Sequence, residues 1–330
     1  MSQLRRNPIT GRWVTIAADR AARPADFAPR RLPVEPGPVQ PCPFCAGNEE
    51  ETPPALESYG RHGDWLVRVV PNLYPAFEGA GAMAVTEVSP VFTEAPGRGI
   101  HEVLVLSPDH TTDWAGLDDR QAGLVMAAVR DRMEEHGRTS GVRYTQTIVN
   151  HGREAGASRE HPHGQLLGMP FVPGELADEQ AGFAQHEDRT GRCLLCATVD
   201  EELAAEVRIV HADDRVVVVC PFWSGVPYEM LVIPRRHEAH LERAAPPDLV
   251  AVGRAVRTAL ARLEALLDDP AYNLVVHTAP HRDGGGFHWH VHVLPRVTSV
   301  AGFEQGTGVL INIVAPEAAA DQLTHPSLPA

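Results

Sequence analysis

Two stretches of the chain repeat one order of apolar and polar positions. In the first, Val103-Leu-Val-Leu106 closes on Ser-Pro-Asp-His110; in the second, Met230-Leu-Val-Ile-Pro234 closes on Arg-Arg-His237. Short apolar runs bounded by breakers read as buried strands. A helical pattern follows each. Leu117–His136 places Val125, Val129 and Met133 at i, i+4 and i+8. Leu249–Leu267 does the same with Val252, Val256 and Leu260, and adds Leu263 on that face. Pro246-Pro247-Asp248 suits a helix start and Asp269-Pro270 a stop. A β-rich run comes next in each half, Tyr144–Asn150 and Tyr272–His277, then a loop and a His-x-His strand ending at Pro170 or Pro295.

Each half therefore reads strand, helix, strand, loop, strand, an α+β unit rather than an alternating parallel β/α fold. The two halves are expected at residues 1–173 and 193–330, joined by a polar, Glu/Asp/Gln-rich linker at 174–192. Residues 23–41, rich in Pro and Arg, read as a loose stretch, and Gly79-Ala-Gly81 as a loop tip.

The cysteines sharpen the repeat. Cys42-Pro-Phe-Cys45 precedes His110 and His161-Pro-His163, and Cys193-Leu-Leu-Cys196 precedes His237 and His288-Trp-His290. In both halves 51 residues separate the intermediate histidine from the first histidine of the His-x-His pair. The same interval, residue types and element order together indicate an internal duplication. Cys42, Cys45, His110 and His161 form one Cys₂His₂ set, and Cys193, Cys196, His237 and His288 a second. Thiolate and imidazole in a closed set of four suit structural Zn²⁺. A thioredoxin-like role fits poorly, since neither pair opens a βαβ pattern.

Charge excludes more than it selects. The 330 residues carry a net charge of −14, so duplex nucleic acid is not an expected partner. A phosphorylated small molecule needs only a few local donors. No apolar run reaches spanning length, and the N-terminal residues lack a secretory apolar stretch, which reads as a cytoplasmic protein without membrane association.

The chemically richest string is Asn150-His-Gly-Arg-Glu-Ala-Gly-Ala-Ser158-Arg-Glu-His161-Pro-His163-Gly-Gln165. In an extended segment His161, His163 and Gln165 share a face. They lie behind Gly156, Ala157 and Ser158, a loop small enough to approach phosphate oxygens through backbone N–H groups. His163 is either a spare metal ligand or a nucleophile. As a nucleophile, neutral imidazole attacks phosphorus without deprotonation and leaves from it readily. Gln165 can donate to the phosphoryl oxygens.

His161-Pro-His163-Gly-Gln165 resembles the H-P-H-G-Q motif of galactose-1-phosphate uridylyltransferases, a branch of the histidine-triad superfamily. Asn7-Pro-Ile-Thr-Gly-Arg-Trp-Val14, Asp19-Arg20-Ala-Ala-Arg23-Pro24, the Cys42–Asn48 segment and Ser107-Pro-Asp-His110 resemble other family motifs, so the similarity covers most of the chain. The resemblance implies two histidine-triad-like halves with antiparallel sheet cores. It implies a nucleophile at His163, phosphoryl binding by Gln165, and Zn ligands at Cys42, Cys45, His110 and His161. Substrate contacts are implied for Asn150, Gly156 and Ser158, for Asn72, and for Phe303, Glu304, Gly306 and Thr307. Residues 306–308 form either a substrate-covering loop or a tight surface turn. Arg20 and Arg23 would reach the phosphates from the partner in a homodimer; the plainer alternative is a solvated surface pair. The reaction implied is ping-pong transfer of a nucleoside monophosphate between a nucleotide sugar and a sugar 1-phosphate, uridylyl first.

The second half departs from the best-known members. Cys193 and Cys196, with Gly302-Phe-Glu-Gln-Gly-Thr-Gly308, resemble a divergent branch that includes proteins similar to ADP-glucose phosphorylase, with adenylyl transfer to phosphate. His288, His290 and His292 also alternate as in hydrolytic histidine-triad proteins, which makes a nucleotide hydrolase the next alternative. A catalytically silent zinc-stabilised binding protein is the third.

Overall fold

The computed structural model describes residues 2–22, 41–61, 63–283 and 285–325. In chain order its elements are β1 (Gln3–Arg6), β2 (Trp13–Ile16), β3 (Glu57–Arg61), β4 (Asp64–Pro71), β5 (Thr86–Ser89), β6 (Phe92–Glu94), β7 (Ile100–Val105), α1 (Asp119–Arg138), β8 (Tyr144–His151), β9 (His163–Met169), α2 (Gly174–Thr190) and α3 (Leu194–Ala205). There follow β10 (Ile209–Ala212), β11 (Val216–Val219), β12 (Met230–Pro234), α4 (Pro246–Leu267), β13 (Tyr272–His277), β14 (His290–Pro295), α5 (Gly302–Thr307), β15 (Leu310–Asn312) and α6 (Pro316–Thr324).

Ten strands form one antiparallel sheet in the order β10-β11-β12-β14-β13-β8-β9-β7-β4-β3. Read outward from its centre, the order is a mirror: β8, β9, β7, β4, β3 on one side and β13, β14, β12, β11, β10 on the other. The repeat in the sequence is thus a repeat in topology. It joins through β8 and β13, which pair from Tyr272 opposite His151 to Val276 opposite Thr147. A separate three-stranded sheet sets β15 parallel to β2, and β5 with β6 makes a small hairpin.

Helices α1 and α4 cover one face. Val125, Val129 and Met133 from α1 and Val252, Val256, Leu260 and Leu263 from α4 are buried in a common core. Each such side chain contributes about 1.5–3 kcal/mol relative to leaving it in water. The helices cross where glycine permits contact: a Cβ on Gly253 would stand 2.5 Å from the Ala122 carbonyl oxygen. Asp118 caps α1 by accepting from the Gln121 N–H at 2.7 Å. Among the described residues, no helix is long and apolar enough to cross a membrane.

Residues 174–192, expected as a loose polar linker, are instead mostly helical. They form α2, closed by Gly191 in a left-handed conformation whose N–H donates to the Glu187 carbonyl. Leu176, Glu179 and Phe183, spaced three and four residues apart, are buried on its inner side, Leu176 and Phe183 in the second core. Phe183 packs on Phe287 with centroids 4.7 Å apart. A polar composition concealed a three-residue buried stripe, one of whose members is a carboxylate.

Candidate active site

β9 begins at His163, so His161 precedes the strand instead of sharing it. Both rings nevertheless meet Phe44, at centroid distances of 5.9 Å and 5.5 Å. The His161 Nε2 donates to the Ser107 carbonyl at 2.8 Å, which turns its Nδ1 toward Cys42 and Cys45, each 3.6 Å away. His110 Nδ1 lies 3.4 Å from Cys45 Sγ. Tetrahedral Zn²⁺ with bonds near 2.3 Å to sulfur and 2.0–2.1 Å to nitrogen places its ligands about 3.6 Å apart. The four donor atoms fit that polyhedron.

The second half repeats this geometry. His288 Nε2 donates to the Pro234 carbonyl at 2.8 Å, and its Nδ1 lies 3.6 Å from both Cys193 and Cys196. His237 Nδ1 is 3.8 Å from Cys196. Both sets bring donors within 4.8 Å of one another, as does a third that the sequence reading did not assemble: Glu179, His277, His290 and His292. Three imidazoles and a carboxylate also suit a divalent transition metal. Burial raises the cost of charge on Glu179, yet His277, His290 and His292 together bring its pKa down to about 2.

The halves diverge at the next histidine. His163 donates its Nδ1–H to the His161 carbonyl at 2.8 Å, which leaves Nε2 with its lone pair. Burial lowers its pKa, opposed by that hydrogen bond and assisted by Arg159, so the ring is neutral at pH 7. Its counterpart His290 donates to the His288 carbonyl in the same way, but its Nε2 sits 3.0 Å from His292 Nε2 inside the third cluster. His290 is 0% exposed, whereas His163 opens onto a cavity of about 330 Å³.

That cavity is lined by Asn150, the 152–154 and 157–160 loop residues, Asp113, Trp114, Asp269 and Tyr272 as well as His161 and His163. Gly152 and Gly156 take positive φ of 79° and 84°, and a Cβ on Gly152 would lie 2.7 Å from the Ala271 Cβ. Of the three N–H groups expected to face a ligand, those of Gly156 and Ala157 are spent on the Arg153 and Gly152 carbonyls, while that of Ser158 makes no such bond among the described residues. The loop also offers side-chain donors: the Asn150 carboxamide, the Ser158 hydroxyl, and Arg153 and Arg159, two lining cations not singled out in the sequence. Arg159 stacks over Phe44 at 5.6 Å.

Gln165 is held by another residue that sequence reasoning passed over. The Ala76 N–H donates to His101 Nδ1 at 3.0 Å, so the proton of a neutral ring is on Nε2, which donates to Gln165 Oε1 at 2.8 Å. That contact occupies the Gln165 carbonyl oxygen and leaves its NH₂ as the group able to donate. Asn72 lies beside the same histidine, its Nδ2 3.2 Å from His101 Nε2. His101 was legible only as an alternation: it shares a face of β7 with Val103 and Val105. Replacing it by Phe is expected to lower the maximum rate about 10-fold with little change in fold stability, as steady-state kinetics and thermal melting will show.

Two expected groups lie elsewhere. Arg20 is exposed in a short turn after β2, and Arg23 falls outside the described residues. Phe303, Glu304, Gly306 and Thr307 belong to α5, neither a loop nor a tight turn but a six-residue helix closed by Gly308 at φ 71°. None of these lines the His163 cavity among the described residues, and neither do Gln165, Asn72 or Gly156, although each lies near residues that do or beside His101.

Behind the cavity wall, burial and a hydrogen bond shared with Asp113 raise the pKa of Glu264 to about 8. Its folded form holds a proton that the unfolded chain releases near its ordinary value of 4.5, so stability falls as pH rises between that value and about 8. Glu264→Gln is expected to raise the melting temperature at pH 8 by about 1–3 °C and to change it little at pH 5, the effect being reduced by solvent exposure.

The sequence model of the galactose-1-phosphate uridyl transferase N-terminal domain matches residues 1–173, and that of the C-terminal domain matches residues 177–321. ADP-glucose phosphorylase of Arabidopsis thaliana is 32% identical over 99% of this chain and 93% of its own. Galactose-1-phosphate uridylyltransferase of Thermotoga maritima is 28% identical over 98% of both. The crystal structure of the Arabidopsis thaliana ADP-glucose phosphorylase with bound ADP-glucose superposes with a TM-score of 0.85 at 29% identity, covering 100% of both chains. With two Cys₂His₂ clusters and a buried histidine presented to a cavity at the head of β9, the chain belongs to the galactose-1-phosphate uridyl transferase family and is a nucleotidyltransferase.

Proposed function

We propose that the protein transfers a nucleoside monophosphate from a nucleoside-diphosphate sugar through a covalent bond to His163. The observation that carries this reading is the pairing of a fixed Nδ1–H with an available Nε2 at the cavity wall. Nε2 attacks the α-phosphorus, the bond from that phosphorus to the bridging oxygen breaks, and its electron pair leaves with the sugar 1-phosphate. No proton moves from the ring. The positive charge that develops on it is stabilised by the His161 carbonyl. An oxygen of the acceptor then attacks the same phosphorus, and the imidazole leaves with the electron pair of the P–N bond. Gln165, Asn150, Ser158 and Arg159 supply donors to the phosphoryl oxygens.

Zn²⁺ in the two Cys₂His₂ sets would be structural, since four protein ligands close the coordination sphere. The first set fixes His161, and with it the carbonyl that orients His163. Asn72 would extend the substrate surface beside His101, and Gly156 beside Asn150.

Uridylyl transfer between UDP-glucose and a hexose 1-phosphate is one form of this reaction. Adenylyl transfer from ADP-glucose to phosphate is the other, favoured by the 32% identity to the Arabidopsis enzyme against 28% for the Thermotoga one. Intact-mass measurement after brief mixing with each donor separates them. An adduct of about +306 or about +329 Da, the masses of uridylyl and adenylyl groups, names the base; a wild type unmodified by either, with metal present, refutes the proposal.

A homodimer completes the site in this reading, with Arg20 and Arg23 supplied by a second copy. Mixed dimers of His163→Ala and Arg20→Ala subunits should then regain activity that neither parent has. No regain on subunit exchange would place Arg20 outside the site.

A further inference from the structure

Asn273 is a buried polar residue of the second half whose side-chain NH₂ points at the first half's loop. It lies on β13 directly opposite Asn150 on β8 and is 7% exposed. Its Nδ2 donates to Asn150 Oδ1 at 2.7 Å and to the Ala155 carbonyl at 2.8 Å. Its Oδ1 accepts from Arg296 Nε at 2.6 Å.

A carboxamide can be placed either way round, so its orientation has to come from partners that allow one arrangement only. The Ala155 carbonyl only accepts, and the Arg296 guanidinium only donates. Both demand the same orientation of Asn273. Asn150 must then turn its oxygen toward Asn273 and its NH₂ away. The Asn150 Nδ2 accordingly lies 4.0 Å from the position a Cβ on Gly156 would take, and Asn150 itself lines the cavity. The Gly156 and Ala157 N–H groups are consumed within the turn, so this NH₂ is among the few fixed donors that the loop presents.

We infer that Asn273 and Arg296 are positioning residues that set the Asn150 NH₂ toward the phosphate of a bound nucleotide. Phosphate recognition in one half is thereby oriented from the other, across the β8–β13 seam. The inference rests on the reading of the His163 cavity as a nucleotide site.

Binding of AMP and UMP by titration calorimetry to the full chain tests it, using Asn150→Ala, Asn273→Asp and the double variant. The carboxylate introduced by Asn273→Asp accepts but does not donate, so Asn150 swings its NH₂ inward and offers an oxygen to the phosphate. Each single variant is expected to bind about 10-fold more weakly, and the double variant no more weakly than either, because one donor is lost in all three. Melting temperatures should stay within a few degrees of wild type. Wild-type affinity in Asn273→Asp, or losses that multiply in the double variant, would overturn the inference. Should Asn273→Asp not fold, Arg296→Met, which keeps much of the side-chain volume, is expected to weaken binding about 3-fold and to have no effect on the Asn150→Ala background. Unchanged binding by Arg296→Met would overturn the inference equally. A wild type that binds neither nucleotide removes the nucleotide site and the inference with it. A wild type that binds AMP but forms no adduct contradicts the transfer reaction alone, and the binding cycle still decides the role of Asn273.

Discussion

His163→Ala is expected to lower turnover at least about 10⁴-fold while leaving the melting temperature within a few degrees of wild type. Loss of a nucleophile that forms a covalent intermediate costs roughly 10⁴–10⁶ in other enzymes, the residue being irreplaceable by water in the same geometry. The expectation is this large because the other histidines near the site are already engaged: His151, also on the cavity wall, pairs with Asp269 at 2.8 Å and stacks on Tyr272. His161 is committed to the Cys42–Cys45 cluster, and His290 is enclosed with His292 and Glu179. The fold should tolerate the change because the side chain makes one hydrogen bond, to the His161 carbonyl, and packs chiefly on Phe44. Nucleotide binding should survive, since the donors on the 150–159 loop are untouched. Turnover within about 100-fold of wild type in the variant would instead point to direct transfer between donor and acceptor.

The second large effect concerns the first metal cluster. Cys42→Ser is expected to release one equivalent of zinc, lower the melting temperature by about 5 °C or more, and slow adduct formation. Structural zinc is worth about 10–16 kcal/mol in small peptides at pH 7, so losing even part of its contribution is a large change for a domain of ordinary stability. The kinetic effect follows from the chain of contacts. The metal would hold His161 Nδ1, Ser107 holds its Nε2, and the His161 carbonyl fixes the His163 tautomer. Cys193→Ser should release its own equivalent of zinc with a smaller effect on adduct formation, because His290 and not His163 follows His288. Elemental analysis, melting and single-turnover rates on the two variants decide this. Equal kinetic losses in both would show that the clusters act only on global stability.

The duplication was legible in the sequence because each half repeats a local pattern. Val125, Val129 and Met133 announce α1 and Val252, Val256 and Leu260 announce α4, and Tyr272–His277 coincides with β13. Residues brought together by long-range pairing were not legible. Glu179 was assigned to a linker, since a helix with Leu176 and Phe183 as its main apolar anchors has little periodicity to read. His277 joins it only because β13 and β14 bring His277 opposite His290. His101 and Asn273 act across strand pairs from Gln165 and Asn150, and no spacing along the chain records that. Of the small-residue loop, Ala157 and Ser158 line the cavity, but the turn spends the Gly156 and Ala157 N–H groups that composition alone assigned to a ligand.

A nucleotidyl bond to His163 can be located directly as an adduct on the protein. Wild-type protein is mixed briefly with ADP-glucose and, separately, UDP-glucose, then quenched in base, where a phosphoramidate survives, and digested. One modified peptide containing His161-Pro-His163 is expected, with fragment ions placing the nucleotide on His163 and none in the His163→Ala variant. A nucleotide on any other residue, or turnover of either donor with no covalent adduct at any time, would contradict it.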